Sequence, residues 1–320
     1  MKSKANKPAN PARAKRVLVA LDFSPDSERA LAAGLEFIGQ RRVQLHLVHV
    51  HVPFEEGDLT GSREESLRAH MEHMYERAAS ARQTTVKASV TYSVERDIGP
   101  AAAVLRYAAR TDIDLIVAGT HGRRGFRRLI LGSVAEEIVR LSRCPVLTVG
   151  GEVAYHLGSE MTSILVPVDF SEASVRTASV ARKMAREYGA RLEVLHVIEE
   201  TVHPAFYNTG VFSVYDMRPD LDRKALEELE RIYASTDGPH VSVTFALRQG
   251  HAAKQIVDYA RDQELDMIVM STHGLTGLTH VLIGSVAETV VRTAPCPVLI
   301  LPREQVNEEE HAECEEEMTA

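Results

Sequence analysis

The chain is 320 residues long, with 44% hydrophobic and 26% charged residues and a formal net charge of −8. This length fits two domains of about 150 residues, and the composition is typical of a soluble globular protein. The negative charge argues against a nucleic-acid partner, because neutralising phosphates needs a basic surface. No apolar run approaches the ~18 residues of a membrane-spanning helix, so we expect no membrane partner. The three cysteines and the absence of a signal-peptide pattern favour a reduced, cytoplasmic protein.

Apolar strands alternate with helical patterns through the first half of the chain. Residues 1–15 are polar and predict a disordered leader, and the first domain is expected at 16–150. Ser24 followed by Pro25 is a helix start signal, an N-cap and then a first-turn proline. The remaining helices are predicted at 63–82, 100–109 and 133–141, and the five strands at 17–21, 43–50, 87–94, 115–118 and 146–149.

The second strand carries three histidines, His46, His49 and His51. They suggest either a metal site or core and surface histidines, but His46 and His49 point to opposite faces because side chains alternate along a strand. Cys144 and Cys296 precede apolar strands at equivalent places, and we expect both to be buried core thiols. No metal-ligand spacing is present, so the sequence predicts no metal site.

A glycine-punctuated loop follows the fourth strand, with Gly119 and Gly122 separated by nine residues from Gly132 and Ser133. Glycines let the backbone approach phosphates closely, and the helix that opens after them offers free amides and a positive dipole end. Ser133 either caps that helix or donates its hydroxyl to a phosphate oxygen. The alternative is that the glycines serve only the sharp turn.

The same spacing recurs at Ser271, Gly274, Gly284 and Ser285. When Thr120–Val149 is aligned with Thr272–Leu301, at an offset of 152, 15 of the 30 positions are identical. The segment Asp-Phe-Ser recurs at an offset of 147. Because the offset grows from 147 to 152, the second half has five additional residues between its second and fourth strands. The chain is therefore an internal duplication. We expect a linker at 151–162, a second domain at 163–303 and a disordered acidic tail at 304–320.

Five strands alternating with four helices predict a doubly wound, Rossmann-like parallel sheet in each half, an α/β fold. Ligands bind such sheets beyond the carboxyl ends of the strands, where the strand order reverses. If the first and fourth strands flank that point, Asp22 and the loop from Gly119 to Ser133 face one crevice. Asp22 would accept hydrogen bonds from ribose hydroxyls while the loop holds phosphates. Asp169 and the second loop would do the same.

The paired DFS, HV and THG…G…GSVAE…CPVL segments resemble the universal stress protein family, over about 280 of the 320 residues, in tandem form. The resemblance implies a sheet like that of the adenine-nucleotide alpha-hydrolases. It also implies binding of ATP, or of AMP or ADP, and allows an accompanying Mg²⁺ ion. In the first half the implied binding residues are Asp22, Val50, Ala118, Gly119, Gly122, Gly132, Ser133 and Val134. In the second half they are Asp169, Val197, Met270, Ser271, Gly274, Gly284, Ser285 and Val286.

The two loops differ in two respects. Ser271 replaces the first glycine, and if that position needs a positive φ the serine costs on the order of 1 kcal/mol. The first loop is also more basic, because it carries Arg123, Arg124, Arg127 and Arg128. The equivalent residues of the second loop are Leu275, Thr276, Thr279 and His280. Both differences predict that the first site binds triphosphate more tightly.

The leading functional hypothesis is a nucleotide-binding stress-response regulator without dedicated catalytic machinery. A second hypothesis is a weak ATP hydrolase or nucleotide-transferring enzyme, for which His121 and His273 are the nearest titratable candidates. A third is a ligand-free scaffold, in which the fifth strands of the two halves pair across a pseudo-twofold axis. The resemblance implies this internal dimer and permits pairing of two chains. The acidic tail also has the right charge to fold onto the arginine-rich loop.

Overall fold

The computed structural model describes residues 10–53, 59–81, 87–120, 131–150, 157, 161–199, 220–236, 238–272 and 283–302. The predictions for the two glycines Gly122 and Gly274, for the four loop arginines, for the two loop histidines and for the acidic tail lie outside these residues.

In the first half the predicted strands and helices are confirmed, with ends that differ by at most two residues. They are β1 (Arg16–Leu21), α1 (Pro25–Ile38), β2 (Val43–His51), α2 (Gly61–Ser80), β3 (Ala88–Arg96), α3 (Pro100–Arg110), β4 (Leu115–Gly119), α4 (Ser133–Leu141) and β5 (Val146–Val149). Helix α1 begins as the sequence predicts, because the Ser24 side chain accepts a hydrogen bond from the Ser27 backbone and Pro25 follows as the first helical residue.

The second half repeats the order of the first. Its elements are β6 (Ser163–Pro167), α5 (Glu172–Tyr188), β7 (Arg191–Ile198), α6 (Leu221–Ser235), β8 (Val243–Gln249), α7 (Ala252–Asp262), β9 (Met267–Ser271), α8 (Ser285–Thr293) and β10 (Val298–Leu301). The duplication read from the sequence is therefore a duplication of architecture.

The ten strands form one sheet in the order β3-β2-β1-β4-β5-β10-β9-β6-β7-β8. Neighbouring strands are parallel within each half, and β5 pairs antiparallel with β10, with Val298 opposite Thr148 and Ile300 opposite Val146. The two sheets of five strands predicted from the sequence are thus joined through their fifth strands, and this pairing within the chain is confirmed. Pairing of two chains stays a prediction.

The antiparallel junction gives the sheet two unlike rims, where a rim is a row of strand ends. At the first rim β1 to β5 end and β6 to β10 begin. At the second rim β6 to β10 end and β1 to β5 begin, since the end of β10 at Ile300 lies beside the start of β5 at Val146. The carboxyl ends of the two halves therefore lie at opposite rims.

Apolar cores cover both faces of the sheet, and each core draws on both halves. One contains Leu31 and Phe37 of α1, Met71 of α2 and Met184 of α5. The other is built from the helices α3, α4, α7 and α8 with the opposite side chains of the strands. Burial on both faces explains why the central strands read as continuous apolar runs rather than alternating ones. Within the described parts of the chain, no helix is long and apolar enough to cross a bilayer.

Part of the predicted leader, residues 10–15, has a described structure. Asn10 caps a short 3-10 helix at Pro11–Arg13, Ala12 is fully buried, and Arg13 forms an ion pair with Glu187 of the second half. The prediction of disorder is therefore wrong for residues 10–15. The local composition is polar, but the segment is covered by the second half, which a prediction from local composition cannot include.

Candidate functional site

The crevice of each half lies where the strand order reverses. Strand β1 has β2 on one side and β4 on the other. Strands β2 and β3 are added on one side of β1, and β4 and β5 are then added on the other side. Strand β6 lies in the same way between β7 and β9. The condition set by the sequence, that the first and fourth strands flank this point, is confirmed in both halves. Asp22 follows β1 and Gly119 ends β4, at the same rim.

Asp22 forms a tight turn with the residue that caps α1. Its Oδ1 atom accepts hydrogen bonds from the backbone N–H of Ser24 at 3.0 Å and from the Ser24 hydroxyl at 2.5 Å. The Ser24 Oγ atom in turn accepts from the Ser27 backbone N–H at 3.2 Å. Because the serine hydroxyl donates to the carboxylate and accepts from the helix, the direction of the carboxylate is fixed by the start of α1.

The second half contains the same turn. Asp169 Oδ1 accepts from the Ser171 backbone N–H at 3.1 Å and from the Ser171 hydroxyl at 2.6 Å, and the Ser174 backbone N–H donates to Ser171 Oγ at 3.2 Å. The two halves thus keep one carboxylate geometry, although they differ at 15 of the 30 aligned positions that start at Thr120. The aspartate is therefore part of a turn that both halves repeat.

The residue between the aspartate and the serine has an unusual backbone conformation. Phe23 and Phe170 have φ values of 63° and 65°, in the left-handed region that residues with a Cβ rarely adopt. The ring of Phe23 lies 4.4 Å from that of His49, and the ring of Phe170 lies 4.1 Å from that of His196. Such conformations cost of order 1 kcal/mol or more and persist where their surroundings hold them. Here the aromatic contact and the turn hold them.

Two histidines connect the neighbouring strands at the crevice. His49 Nδ1 lies 2.8 Å from the Leu21 carbonyl oxygen, and His196 Nδ1 lies 2.8 Å from that of Val168. A carbonyl only accepts, so Nδ1 carries the proton and donates in both cases. Burial lowers the pKa of His196, against the opposing effects of the Val168 carbonyl and Asp169. The bonds fix the ends of β2 and β7 beside the aspartate turns.

Sequence reasoning missed this role of the histidines. It considered His49 as a metal ligand or a core residue, although His49 and His196 recur at the same offset of 147 as the aspartates. The shared offset was the signal available for finding them. His46 does face away from the crevice, as alternation predicts, with its Nδ1 2.9 Å from the Tyr107 hydroxyl on the other face. In the ranges that the structure describes, no group of three or more His, Cys, Asp or Glu residues is arranged to hold a metal ion.

Gly119 is required by a close approach and not by its φ. A Cβ atom at this position would lie 2.9 Å from the backbone carbon and oxygen of Asp26, in the first turn of α1. Neither Gly119 nor Ser271 has a positive φ, so the condition under which Ser271 would carry a backbone penalty is not met. The contact also shows that the turn after Asp22 and the end of β4 meet directly. This tertiary contact has no signature in the local sequence.

Helix α4 begins at the glycine that the motif marks. Gly132 is the N-cap, with no side-chain cap, and its backbone N–H donates to the Thr120 carbonyl at 2.8 Å. Ser133 is the first helical residue, so of its two predicted roles the capping one is wrong. Ser133 and Val134 are exposed, and the first amides of a helix have no acceptor within it. Their position favours an anion at this helix end.

Helix α8 repeats this start in the second half. Gly284 is its N-cap, and the Gly284 N–H donates to the Thr272 carbonyl at 2.8 Å. Ser285 is exposed and Val286 is half-buried. The remaining predicted residues contribute backbone at the carboxyl ends of their strands, with Val50, Ala118 and Met270 buried and Val197 half-buried.

The cysteines take no part in either crevice among the described residues. Cys296 is buried, as predicted, whereas Cys144 is only half-buried. Burial raises the pKa of the Cys144 thiol to about 11 and that of Cys296 to about 12. Both thiols are therefore protonated and unreactive near neutral pH.

Fold and crevice together define a class: a tandem α/β protein with two doubly wound halves, each carrying a fixed carboxylate and an exposed helix N-terminus at its switch point. The model of the universal stress protein family matches residues 13–150 and 161–302. The chain therefore belongs to that family, as a member with two copies of its domain.

Known relatives have the same organisation. A universal stress protein of Mycobacterium tuberculosis is 25% identical over 294 residues, which cover 89% of this chain and 95% of that protein. The crystal structure of a universal stress protein from Archaeoglobus fulgidus superposes with a TM-score of 0.61 at 20% identity, covering 90% of this chain and 98% of that one. A further structure is that of a universal stress protein in complex with cAMP. The match covers 44% of this chain and 97% of that one, at 20% identity and a TM-score of 0.32.

Proposed function

We propose that each half of the chain binds an adenine nucleotide in its crevice, and that the protein acts as a nucleotide-responsive regulator in stress. The observation that carries this proposal is the doubled arrangement at the switch points. In each half a serine-fixed aspartate follows one strand, and the neighbouring strand leads to a helix that opens on an uncapped Gly-Ser. A nucleoside phosphate needs this combination of a hydroxyl acceptor and an anion site.

The aspartates would recognise the ribose. A carboxylate accepts about four hydrogen bonds, so its two bonds from Ser24 are compatible with accepting from ribose hydroxyls. Because those two bonds hold Asp22 in one direction, binding would not have to order the side chain first. Asp169 has the same support from Ser171.

The helix N-termini would hold the phosphates. The amides of Ser133 and Val134 in the first half, and of Ser285 and Val286 in the second, face an anion with the positive end of the helix dipole behind them. Such an interaction contributes typically 0.3–1 kcal/mol per charge near the surface. The loops before these helices, which contain Gly122 and Gly274, would complete the phosphate contacts, and the backbone of Val50, Ala118, Val197 and Met270 would line the base and ribose.

We propose a binding protein rather than an enzyme. His49 and His196 are the described histidines beside the aspartates, and each uses its Nδ1 proton to bind a strand carbonyl. Turnover of ATP above a protein-free control, lost when both aspartates are changed, would instead favour the weak-hydrolase hypothesis.

The direct test is to denature the purified protein with heat and identify any released nucleotide by chromatography. A double variant, Asp22→Asn with Asp169→Asn, keeps the Oδ1 acceptor of each turn but removes the charge and one acceptor oxygen. We expect adenine nucleotide from the wild type and little from the double variant. Asp112→Asn is the control, because Asp112 pairs with Arg16, which lies at the other end of β1 from Asp22 and five strand spacings from β6, the strand that precedes Asp169. Absence of nucleotide from the wild type, together with no binding of added ATP, would favour the ligand-free scaffold.

We further expect the first site to bind ATP more tightly than the second, because four arginines stand in its loop and none in the equivalent loop. Arginine side chains pair well with phosphate oxygens. The comparison uses single-site proteins made with Gly122→Val or Gly274→Val, titrated with ATP in a calorimeter. Equal affinities would show that the loop arginines are only a solvated surface.

A further inference from the structure

A basic cleft lies at the second rim, away from the first nucleotide crevice. It has a volume of about 890 Å³ and lies at the starts of β1, β2 and β3. Four cationic residues line it, together with one acidic residue, Asp114: they are Lys15, Arg16, Arg42 and Lys87. We call this surface the basic cleft.

Three of the four cations are available for a partner. Lys15, Arg42 and Lys87 are exposed, and their side chains have no acidic partner among the residues that the structure describes. Arg16 differs, since it forms ion pairs with Asp112 at 3.3 Å and Asp114 at 3.7 Å. The cleft therefore carries a surplus of positive charge on a chain whose net charge is −8.

The fold does not require these cations. In the second half, the positions equivalent to these four cations are occupied by Thr162, Ser163, Gly189 and His240. Arg191, which begins β7, forms an ion pair with Glu193 at 3.1 Å. There Asp266 accepts from the backbone and hydroxyl groups of Thr162 and Ser163 at 2.9–3.0 Å. The starts of β1, β2 and β3 thus carry four cationic residues, whereas the equivalent positions of the second half carry no Lys or Arg. The charge of the first half needs a separate explanation.

The chain itself contains an acidic segment that follows a strand ending at this rim. Residues 304–317 include eight glutamates, and Pro302 follows β10, which ends at the second rim beside Val146. Three strand spacings separate β10 from β1 and five separate it from β3, or roughly 14 to 24 Å at about 4.8 Å per spacing. Six to eight extended residues reach about 20 to 26 Å. The glutamates Glu308, Glu309 and Glu310 stand at that distance from Pro302 along the chain.

We propose that the acidic segment 304–317 docks on the basic cleft of its own chain. The strand directions decide against the other basic target considered from the sequence, the arginine-rich loop. That loop follows Thr120 after β4 and leaves the sheet at the first rim, whereas the segment leaves at the second. The attraction depends on exposed charges, so it weakens as salt rises and the screening length falls from about 10 Å at 0.1 M to about 3 Å at 1 M.

The test is zero-length carbodiimide cross-linking of the full-length protein, with the products mapped by mass spectrometry. We expect amide bonds from Lys15 or Lys87 to glutamates of residues 304–317 at low salt, and their loss near 1 M salt. An equal mixture of chains with natural and heavy nitrogen distinguishes bonds within a chain from bonds between chains. Bonds found mainly between chains would overturn the proposal in favour of a second copy as the occupant.

Arg42→Glu provides the variant, because it reverses a cleft charge while leaving both reporter lysines in place. We expect roughly a fivefold fall in the cross-link yield. Lys183→Glu, on the exposed side of α5, is the matched charge reversal and should leave the yield unchanged. Changing Glu308, Glu309 and Glu310 to Gln gives a second variant that does not touch the folded part. Unchanged yields in both the Arg42→Glu protein and the Gln variant, or cross-links of the segment mainly to other lysines, would refute the docking.

Discussion

At the scale of single residues, the aspartate of each crevice is held by the serine that caps the following helix. Asp22 receives two hydrogen bonds from Ser24, and Phe23 between them takes a left-handed conformation. One three-residue segment thus turns the chain, starts a helix and fixes a carboxylate. Its exact repetition at Asp169 to Ser171 is why the two crevices share a geometry despite extensive divergence elsewhere.

Gly119→Ser is expected to destabilise the protein, because a Cβ at this position would lie 2.9 Å from the Asp26 backbone. Displacing the first turn of α1 to relieve this contact should cost about 1–3 kcal/mol, as overpacking does. Urea unfolding measures the change in free energy. The reverse substitution at the equivalent position, Ser271→Gly, is the control and should change stability by less than about 1 kcal/mol. Equal effects of the two substitutions would mean that the close contact is not what selects glycine.

His196 predicts how stability depends on pH. Burial holds its pKa below the ordinary value of 6.5 in the folded protein, so the unfolded chain binds more protons between the two values. Its contribution is therefore complete above about pH 6.5 and is lost as the pH falls through that interval. His46 has a lowered pKa too and acts in the same direction. In urea unfolding at several pH values, His196→Gln should reduce the loss of stability on acidification. An unchanged pH dependence would contradict the assignment.

At the scale of elements, the start of α1 links stability to the crevice. Ser24→Ala removes both the cap of the helix and the hydroxyl that donates to Asp22. We expect a loss of about 1 kcal/mol in the free energy of unfolding, and weaker ATP binding at the first site. Ser27→Ala is the control, since it keeps the backbone N–H that donates to Ser24 and should leave ATP binding unchanged. Weakening of ATP binding by both variants to the same degree would show that the Asp22 turn has no special role.

The strands and helices were predictable because their signals are local. Strand β4 is a continuous apolar run, α1 has a serine cap followed by proline, and the glycine spacing marks the start of α4. The position of the crevice was also predictable, because the order of elements determines where a doubly wound sheet reverses. Most of these signals recur in the second half, although Ser271 replaces the first glycine of the loop and Glu172 stands where Pro25 follows the serine cap.

Tertiary contacts were not predictable in the same way. The φ of Phe23 depends on the ring of His49, and the need for glycine at position 119 depends on the approach of α1. Residues 10–15 contact the second half of the chain, where Arg13 pairs with Glu187. Each of these features involves a partner that local composition and periodicity do not include.

At the scale of the whole molecule, the antiparallel pairing of β5 with β10 determines the arrangement of sites. It joins two cores into continuous layers on both faces of the sheet, and it places the crevices of the two halves at opposite rims. It also brings the end of β10 to the rim that carries the basic cleft. The two halves are therefore equivalent at the carboxyl ends of their strands, where the crevices lie. They differ at the amino ends, where only the first half carries the basic cleft.

The most direct test of the nucleotide-binding proposal is calorimetric titration of nucleotide-free protein with ATP, with binding stoichiometry as the measured quantity. We predict two ATP molecules per chain for the wild type, one each for Asp22→Asn and Asp169→Asn, and none for the double variant at the same concentrations. An undiminished stoichiometry of two in both single variants would contradict the role of the aspartates. A folded wild type that binds no ATP would contradict the proposal itself.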